Sequence, residues 1–212
     1  MANLLLDDLD RELESRGHRF VRYADDVNVY VRSQRAGDRV LASVKGFLEK
    51  RLKLRVNLEK SAVDRPWRRV LLGFTFVGRA FRRRVSDKAL KALRWTVKQK
   101  TCRTLGVSFR SLMSGLSKSL LGWLSYYGSS EVPTPLEELE KWIRRRLRCY
   151  LWKQWGRRGY RELKRRGVSV DLAWNTSKSA HGPWRLSQSP ALTIALPAGY
   201  FRKLGLPRLV NG

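Results

Sequence analysis

The chain has 212 residues, of which 42% are hydrophobic, so it can build one folded domain or two small ones and is not a disordered protein by composition. Its formal net charge of +27 exceeds what solubility requires and indicates a polyanionic partner. The two cysteines and two histidines lack metal-ligand spacing, and no apolar run approaches the roughly 20 residues that span a bilayer, so we expect a cytoplasmic protein with no zinc site and no membrane partner.

The charge is distributed unevenly along the chain. Residues 1–66 carry 14 Lys and Arg against 11 Asp and Glu, a net charge of +3. Residues 67–212 carry 31 against 7, a net charge of +24. The polyanion is therefore expected to bind the C-terminal two-thirds.

The first predicted element is an amphipathic helix over Leu4–Ser15, ended by Gly17. Its apolar residues recur every four positions, and the inward side chains are expected to be Leu5, Leu9 and Leu13.

A β-hairpin is predicted next, with strands Arg19–Ala24 and Val27–Arg32 around the pair Asp25-Asp26. Two adjacent carboxylates at a hairpin tip can hold a hard divalent cation. Aspartate is also common in turns because its side chain bonds to the nearby backbone. The pair alone leaves both interpretations open.

The following stretch predicts a helix and more strands. The helix is expected from Gly37-Asp38 to Leu52, followed by short extended pieces around a turn at Glu59-Lys60. Val70–Val77 is the strongest strand pattern, and Gly73 would permit a bend or a close backbone approach. With Arg79–Val85 returning antiparallel, residues 1–85 predict an α+β unit with two helices on a small antiparallel sheet.

Residues 86–156 predict a bundle of three helices with apolar stripes facing inward. The expected inward residues include Leu90, Leu93 and Val97 of the first helix and Leu139, Ile143 and Leu147 of the third. The helices are expected to start at Ser86-Asp87, at Ser108 and at Pro135. Their outward faces carry the cations expected to bind phosphate, namely Lys91, Arg94, Lys98, Lys141, Arg144, Arg145 and Arg148.

Residues 157–212 carry aromatic side chains among cations. A short basic helix is predicted over Arg157–Arg166 and a single turn over Val170–Trp174, followed by an irregular segment rich in Pro, Gly and Ser. The aromatics can stack on nucleic-acid bases, or they can pin an irregular tail onto the bundle. Both interpretations stay open.

Five segments, in chain order, resemble motifs of bacterial group II intron-encoded reverse transcriptase/maturases. They are Ala2–Leu6 with Asp7–Asp10, similar to the helix before the palm motif; Tyr23–Asp26, the YADD run, similar to the palm active-site motif; Asn57 to Lys60-Ser61, similar to the next palm motif; Leu72–Phe74, similar to the primer-grip strand; and Gly122–Tyr127, similar to the maturase signature.

This resemblance implies a partial polymerase palm, a helical thumb/maturase bundle and a short DNA- or RNA-binding tail, over residues 1–85, 86–156 and 157–212. It implies that Asp25 and Asp26 are catalytic ligands of Mg²⁺ in a two-metal site. Tyr23 would border the primer end or nucleotide, Lys60 would neutralise phosphate, and Gly73-Phe74 would support the primer. The implied partners are group II intron RNA and a DNA target or primer–template duplex.

Parts of the family pattern are missing from this sequence. The family has fingers and an earlier palm strand with a further catalytic aspartate, and its DNA-cutting domain needs Cys and His residues that are absent here. We therefore expect that the natural unit begins further upstream and that this chain alone does not polymerise. A non-catalytic RNA-binding splicing cofactor and a nonfunctional mobile-element remnant are the alternatives.

Overall fold

The computed structural model describes residues 2–57 and 59–210, in which the chain forms ten α-helices and four β-strands. It divides into two compact units, Met1–Arg69 and Val70–Gly212. The predicted domain boundaries after residues 85 and 156 stay predictions.

The first unit packs two helices on one hairpin. Its elements are α1 (Ala2–Ser15), β1 (Arg19–Tyr23), β2 (Asp26–Tyr30) and α2 (Gln34–Lys50), followed by one 3₁₀ turn (Pro66–Arg68). The core consists of Leu6, Leu9 and Leu13 of α1, covered by side chains of the hairpin and of α2. The prediction of Leu5 as an inward residue is wrong, because Leu5 is 49% exposed and Leu6 takes its place.

The hairpin is confirmed, but its turn lies one residue earlier than predicted. Tyr23 pairs with Asp26 across the strands, so the turn residues are Ala24 and Asp25 rather than Asp25 and Asp26. Ala24 adopts a φ of +53°, as the first central residue of a type II′ turn does. Asp25 therefore lies in the turn, whereas Asp26 begins β2.

The segment after α2 is a turn without strands in its described part. The Asn57 side chain accepts hydrogen bonds from the backbone N–H groups of Glu59 (3.1 Å) and Lys60 (3.2 Å). The turn at Glu59-Lys60 is thus confirmed. Helix α2 begins at Gln34, earlier than predicted, because the Ser33 side chain caps it by accepting from the Ala36 N–H.

The second unit joins a hairpin to eight helices in the described part of the chain. Its elements are β3 (Phe74–Val77), β4 (Arg82–Val85), α3 (Asp87–Lys100), α4 (Phe109–Tyr127), α5 (Thr134–Trp155), one 3₁₀ turn (Gly156–Arg158), α6 (Gly159–Arg165), α7 (Val170–Lys178), α8 (Pro183–Leu186), α9 (Pro190–Ala195) and α10 (Ala198–Lys203). The α+β class with a helical bundle is confirmed. The expected small sheet is instead two separate two-stranded sheets among the described residues.

The three bundle helices are confirmed, and their cores follow the predicted stripes. Ser86 and Ser108 cap α3 and α4 with their side-chain oxygens. Helix α5 contributes the largest buried stripe, which consists of Leu136, Leu139, Ile143, Leu147, Cys149, Tyr150 and Leu151. The α5 helix is therefore the centre of this unit.

The C-terminal segment is helical, so the prediction of an irregular tail is wrong. Leu192, Leu196 and Phe201 are fully buried in the same core cluster as α5. Phe201 lies 6.5 Å from the Phe109 ring of α4, measured between ring centroids. This ring pins the segment to the bundle, as one of the two interpretations expects.

Strand β3 begins at Phe74, so the predicted strand from Val70 is wrong in its first half. Leu71 and Phe74 exchange backbone hydrogen bonds of 2.8 and 2.9 Å around a tight turn. The turn residues Leu72 and Gly73 both have positive φ, +50° and +78°. A two-residue turn of this kind reverses the chain, as type I′ hairpin turns do.

The turn packs directly against the end of α4. The Tyr126 hydroxyl donates to the Leu72 carbonyl at 2.9 Å, and the Phe74 and Tyr127 ring centroids lie 5.4 Å apart. A Cβ atom on Gly73 would lie 2.5 Å from the Tyr127 hydroxyl oxygen. Both the bend and the close backbone approach predicted for Gly73 are confirmed.

We predict that Gly73→Ala destabilises the second unit more than Gly78→Ala does. Gly78 also has a positive φ, +71°, but a Cβ there would have no neighbour within 4 Å. An alanine at positive φ costs about 1–2 kcal/mol at either site, and the clash with Tyr127 adds about 1–3 kcal/mol at residue 73.

Urea unfolding followed by tryptophan fluorescence measures the difference, because seven of the eight tryptophans lie after residue 69. Equal losses for the two variants would contradict the close contact between the turn and α4.

Candidate functional site

The carboxylate hairpin is solvent-exposed at its tip. Asp25 and Asp26 are both exposed, and Tyr23 beside them is 62% exposed. These side chains are open to a ligand that approaches the end of the hairpin.

Arg22 fixes the base of this tip. Its Nε donates to both carboxylate oxygens of Asp10 on α1 at 2.8 Å, and its Nη1 donates to the Ala24 carbonyl at 3.0 Å. The hydrogen bond with Asp10 raises the pKa of Arg22. Asp10 is thus engaged by a guanidinium, and the turn is tied to α1 through one side chain.

The carboxylates of the hairpin are suitable ligands for a hard cation, but they are few. Carboxylate oxygens are the donors that Mg²⁺ prefers. Within residues 2–57 and 59–210, no group of three His, Cys, Asp or Glu side chains is placed to hold a metal ion. Asp25 and Asp26 are therefore a pair rather than a complete cage.

Lys60 is exposed beyond the Asn57 turn. No hydrogen bond or ion pair joins it to Asp25 or Asp26 in the described part of the chain. Gly73 and Phe74 belong to the second compact unit, whereas Tyr23 and Lys60 belong to the first.

The structure brings together two motifs that the sequence places about 50 residues apart. Leu72–Phe74 lies against Tyr126 and Tyr127, the last residues of the Gly122–Tyr127 motif. Burial raises the pKa of Tyr127. This packing couples the conformation of the Leu72-Gly73 turn to the end of α4.

On α3, two of the three predicted cations are exposed. Lys91 and Lys98 are exposed, but Arg94 is half-buried against Trp142 of α5, with its guanidinium carbon 5.4 Å from the ring centre. A cation held over an aromatic face in this way is a packing contact as well as a charge.

On α5, Lys141 is exposed as predicted, but the exposure predicted for its three arginines is wrong. Arg144 pairs with Glu140, and Arg145 lies 3.8 Å above the Trp184 ring. The Arg148 Nε donates to the Leu196 carbonyl at 3.0 Å, and burial lowers the pKa of Arg148. Arg145 and Arg148 are covered because α8 and the end of α9, which the sequence does not predict, pack on α5.

Two residues of this region were not predicted to matter. Arg146 donates to the Thr101 hydroxyl (2.5 Å), to the Thr101 carbonyl (3.2 Å) and to the Lys98 carbonyl (3.4 Å), and so caps the C-terminus of α3. Trp95 is 64% exposed on α3. Its position off the Leu90, Leu93 and Val97 stripe is the sequence signal for that exposure.

Two family models match the chain. Residues 1–109 match "Reverse transcriptase (RNA-dependent DNA polymerase)", so the chain belongs to the reverse transcriptase family. Residues 90–167 match "Group II intron, maturase-specific domain". Together the two matches identify a group II intron reverse transcriptase/maturase and confirm the resemblance.

A search of curated proteins finds no match. The two domains imply intron RNA and nucleic acid as ligands, and the reverse transcriptase family implies divalent metal. None of the helices in the described part of the chain has the length and apolar character that crossing a membrane requires.

We predict that Arg148→Gln destabilises the fold and that Lys141→Gln does not. Losing the Arg148 hydrogen bond leaves the buried end of α9 with an unpaired carbonyl, which costs about 1–3 kcal/mol. An exposed lysine without an ion pair changes stability by about 0.5 kcal/mol or less. Both variants lose one charge, so thermal unfolding of the pair separates packing from charge. A destabilised Lys141→Gln variant beside an unaffected Arg148→Gln variant would contradict the assignment.

Proposed function

We propose that residues 70–212 bind the phosphates of group II intron RNA and assist its splicing, while Asp25 and Asp26 serve as Mg²⁺ ligands of a reverse transcriptase site. The carrying observation is the charge of the second unit, with 29 Lys and Arg against 7 Asp and Glu, a net +22. Four of those seven acids, Asp87, Glu131, Glu140 and Glu162, are already in ion pairs. The excess of cations therefore dominates the surface field.

The exposed lysines are the side chains best placed to meet phosphate. Lys91, Lys98 and Lys141 form no ion pair among the described residues. Binding by such residues releases counterions from the nucleic acid, and this release makes the affinity depend steeply on salt. The arginines at 94, 144, 145 and 148 would act mainly by placing these lysines, with a smaller direct share in binding.

The C-terminal helices offer one more contact. Trp174 of α7 is 53% exposed, with the Lys178 ammonium 4.9 Å from its ring centre. An exposed ring beside a cation suits a nucleic-acid strand of either DNA or RNA.

Both cysteines, Cys102 and Cys149, are free thiols, in keeping with a cytoplasmic setting.

For the hairpin, the proposal rests on the carboxylate oxygens at its tip, which are ligands for Mg²⁺. Asp25 and Asp26 would hold part of a two-metal site, with Tyr23 beside the primer end, Lys60 on phosphate and Gly73-Phe74 under the primer. When bound, the ions would activate a primer 3′ hydroxyl and stabilise the leaving pyrophosphate. The family resemblance predicts that a further catalytic aspartate, on an earlier palm strand, completes the site. We propose that this chain alone does not polymerise, because it offers a pair of carboxylates and no third ligand among its described residues.

We predict no primer extension by the chain with a primer–template, dNTPs and Mg²⁺, and RNA binding that does not depend on the hairpin. Asp25→Asn should leave the affinity for intron RNA within about twofold, since the phosphates are bound by other residues. Asp38→Asn, an exposed carboxylate on α2, makes the same charge change and is the control. Extension that Asp25→Asn abolishes would overturn the claim of inactivity, and a chain that binds no RNA would overturn the proposed function.

A further inference from the structure

Trp95 is the most exposed tryptophan among the described residues, with 64% of its surface open. It lies in the middle of α3, whose opposite face buries Leu90, Leu93 and Val97. Large aromatic side chains usually lose most of their surface on folding, so one left open in the middle of an ordered helix is informative.

Packing in the hydrophobic core does not explain a tryptophan at this position. Trp95 is not part of the apolar cluster of its unit, nor of the side chains packed against it. Among the described residues its side chain takes part in no hydrogen bond, ring stack or cation contact. Trp184, by comparison, has an arginine 3.8 Å above its ring. The Trp95 ring is thus open to a ligand.

Lysines flank the ring along the same helix face. Lys88, Lys91, Trp95 and Lys98 are all exposed and follow one another at spacings of three and four residues. Residues at this spacing are neighbours on a helix surface, and the row extends about 15 Å along α3. No ion pair engages these three lysines in the described part of the chain. The row therefore presents cations on both sides of one aromatic face.

We propose that this row binds single-stranded nucleic acid, with an unpaired base stacked on Trp95 and the adjoining phosphates on Lys91 and Lys98. The inference rests on the proposed nucleic-acid-binding function and adds to it a preference for unpaired nucleotides. A duplex keeps its bases stacked on one another, whereas a single strand can turn a base onto an aromatic side chain. Because lysine binds the phosphates of RNA and of DNA alike, the proposed ligand is an unpaired base of either nucleic acid.

The test measures the affinity of the full chain for three labelled probes. These are a 12-nucleotide single strand of mixed sequence as RNA, the same strand as DNA, and the RNA duplex of that sequence. Trp95→Leu removes the ring face and keeps an apolar side chain, whereas Trp95→Phe retains a ring. Leu121→Ala, which trims another exposed apolar residue on α4, is the matched control.

We expect Trp95→Leu to weaken single-strand binding by about 5- to 150-fold, the equivalent of one stacked base. Trp95→Phe should recover most of the affinity, and Leu121→Ala should match the wild type. Duplex affinity and the salt dependence should stay unchanged, because the phosphate contacts remain. A loss on RNA alone or DNA alone would identify the strand chemistry bound.

Equal effects of Trp95→Leu on single strand and duplex, or no effect on either, would overturn the stacking inference while leaving the proposed function intact. A wild-type chain that binds none of the three probes would overturn the proposed function itself. The unfolding midpoint of Trp95→Leu should equal that of the wild type, since the ring lies outside the apolar core of its unit.

Discussion

The second unit is built around α5, whose guanidinium groups meet the carbonyl ends of other helices. Arg146 donates to carbonyls at the end of α3, Arg145 to the Trp184 carbonyl of α8, and Arg148 to the Leu196 carbonyl after α9. The last carbonyls of a helix lack partners within the helix and carry partial negative charge, so cations there are stabilising. Leu139, Ile143 and Leu147, on the inner face of the same helix, supply its share of the apolar core. One helix thus positions three others by charge and carries much of the core.

This arrangement divides the cations of the chain into two kinds. Guanidinium groups fit planar, hydrogen-bonded and ring-stacked sites, and here they take the half-buried positions between helices. Ammonium groups are strongly hydrated and stay outside, as Lys91, Lys98 and Lys141 do. The net charge of the unit is therefore a sum of cations that hold the bundle together and cations free to meet phosphate. Counting arginines on a helical wheel overestimates the second kind.

Much of the fold was predictable from the sequence because helix periodicity and capping are local. Leu139, Ile143 and Leu147 were expected inside and are inside, and Ser86 and Ser108 cap the helices they precede. The exchange of Leu5 for Leu6 is a small rotation of α1 that depends on the hairpin packed beneath it. The sequence predicts strand at the Leu72-Gly73 turn because leucine gives no local signal for a positive φ.

The site was harder to predict, because it depends on contacts between distant parts of the chain. Asp25 and Asp26 were found from the YADD run, yet the one-residue shift of the turn depends on Ala24 adopting a left-handed backbone. Arg148 looked exposed because its partner, the Leu196 carbonyl, lies 48 residues away on a segment whose short helices have weak periodicity. The sequence places Trp95 off the apolar stripe, but only the fold shows that most of its ring stays exposed.

Exposed lysines of the second unit, rather than the hairpin unit, are proposed to bind the phosphates of intron RNA. The decisive measurement is the slope of log affinity for intron RNA against log salt concentration, in the full chain with Lys91, Lys98 and Lys141 all changed to glutamine. We predict that the magnitude of the slope falls by about 2–3, since each phosphate contact contributes about 0.7–0.9. Changing Lys45, Lys50 and Lys53 of the first unit removes the same charge and should change the slope much less. An unchanged slope in the first triple variant, or an equal fall in both, would show that these lysines do not bind the phosphates.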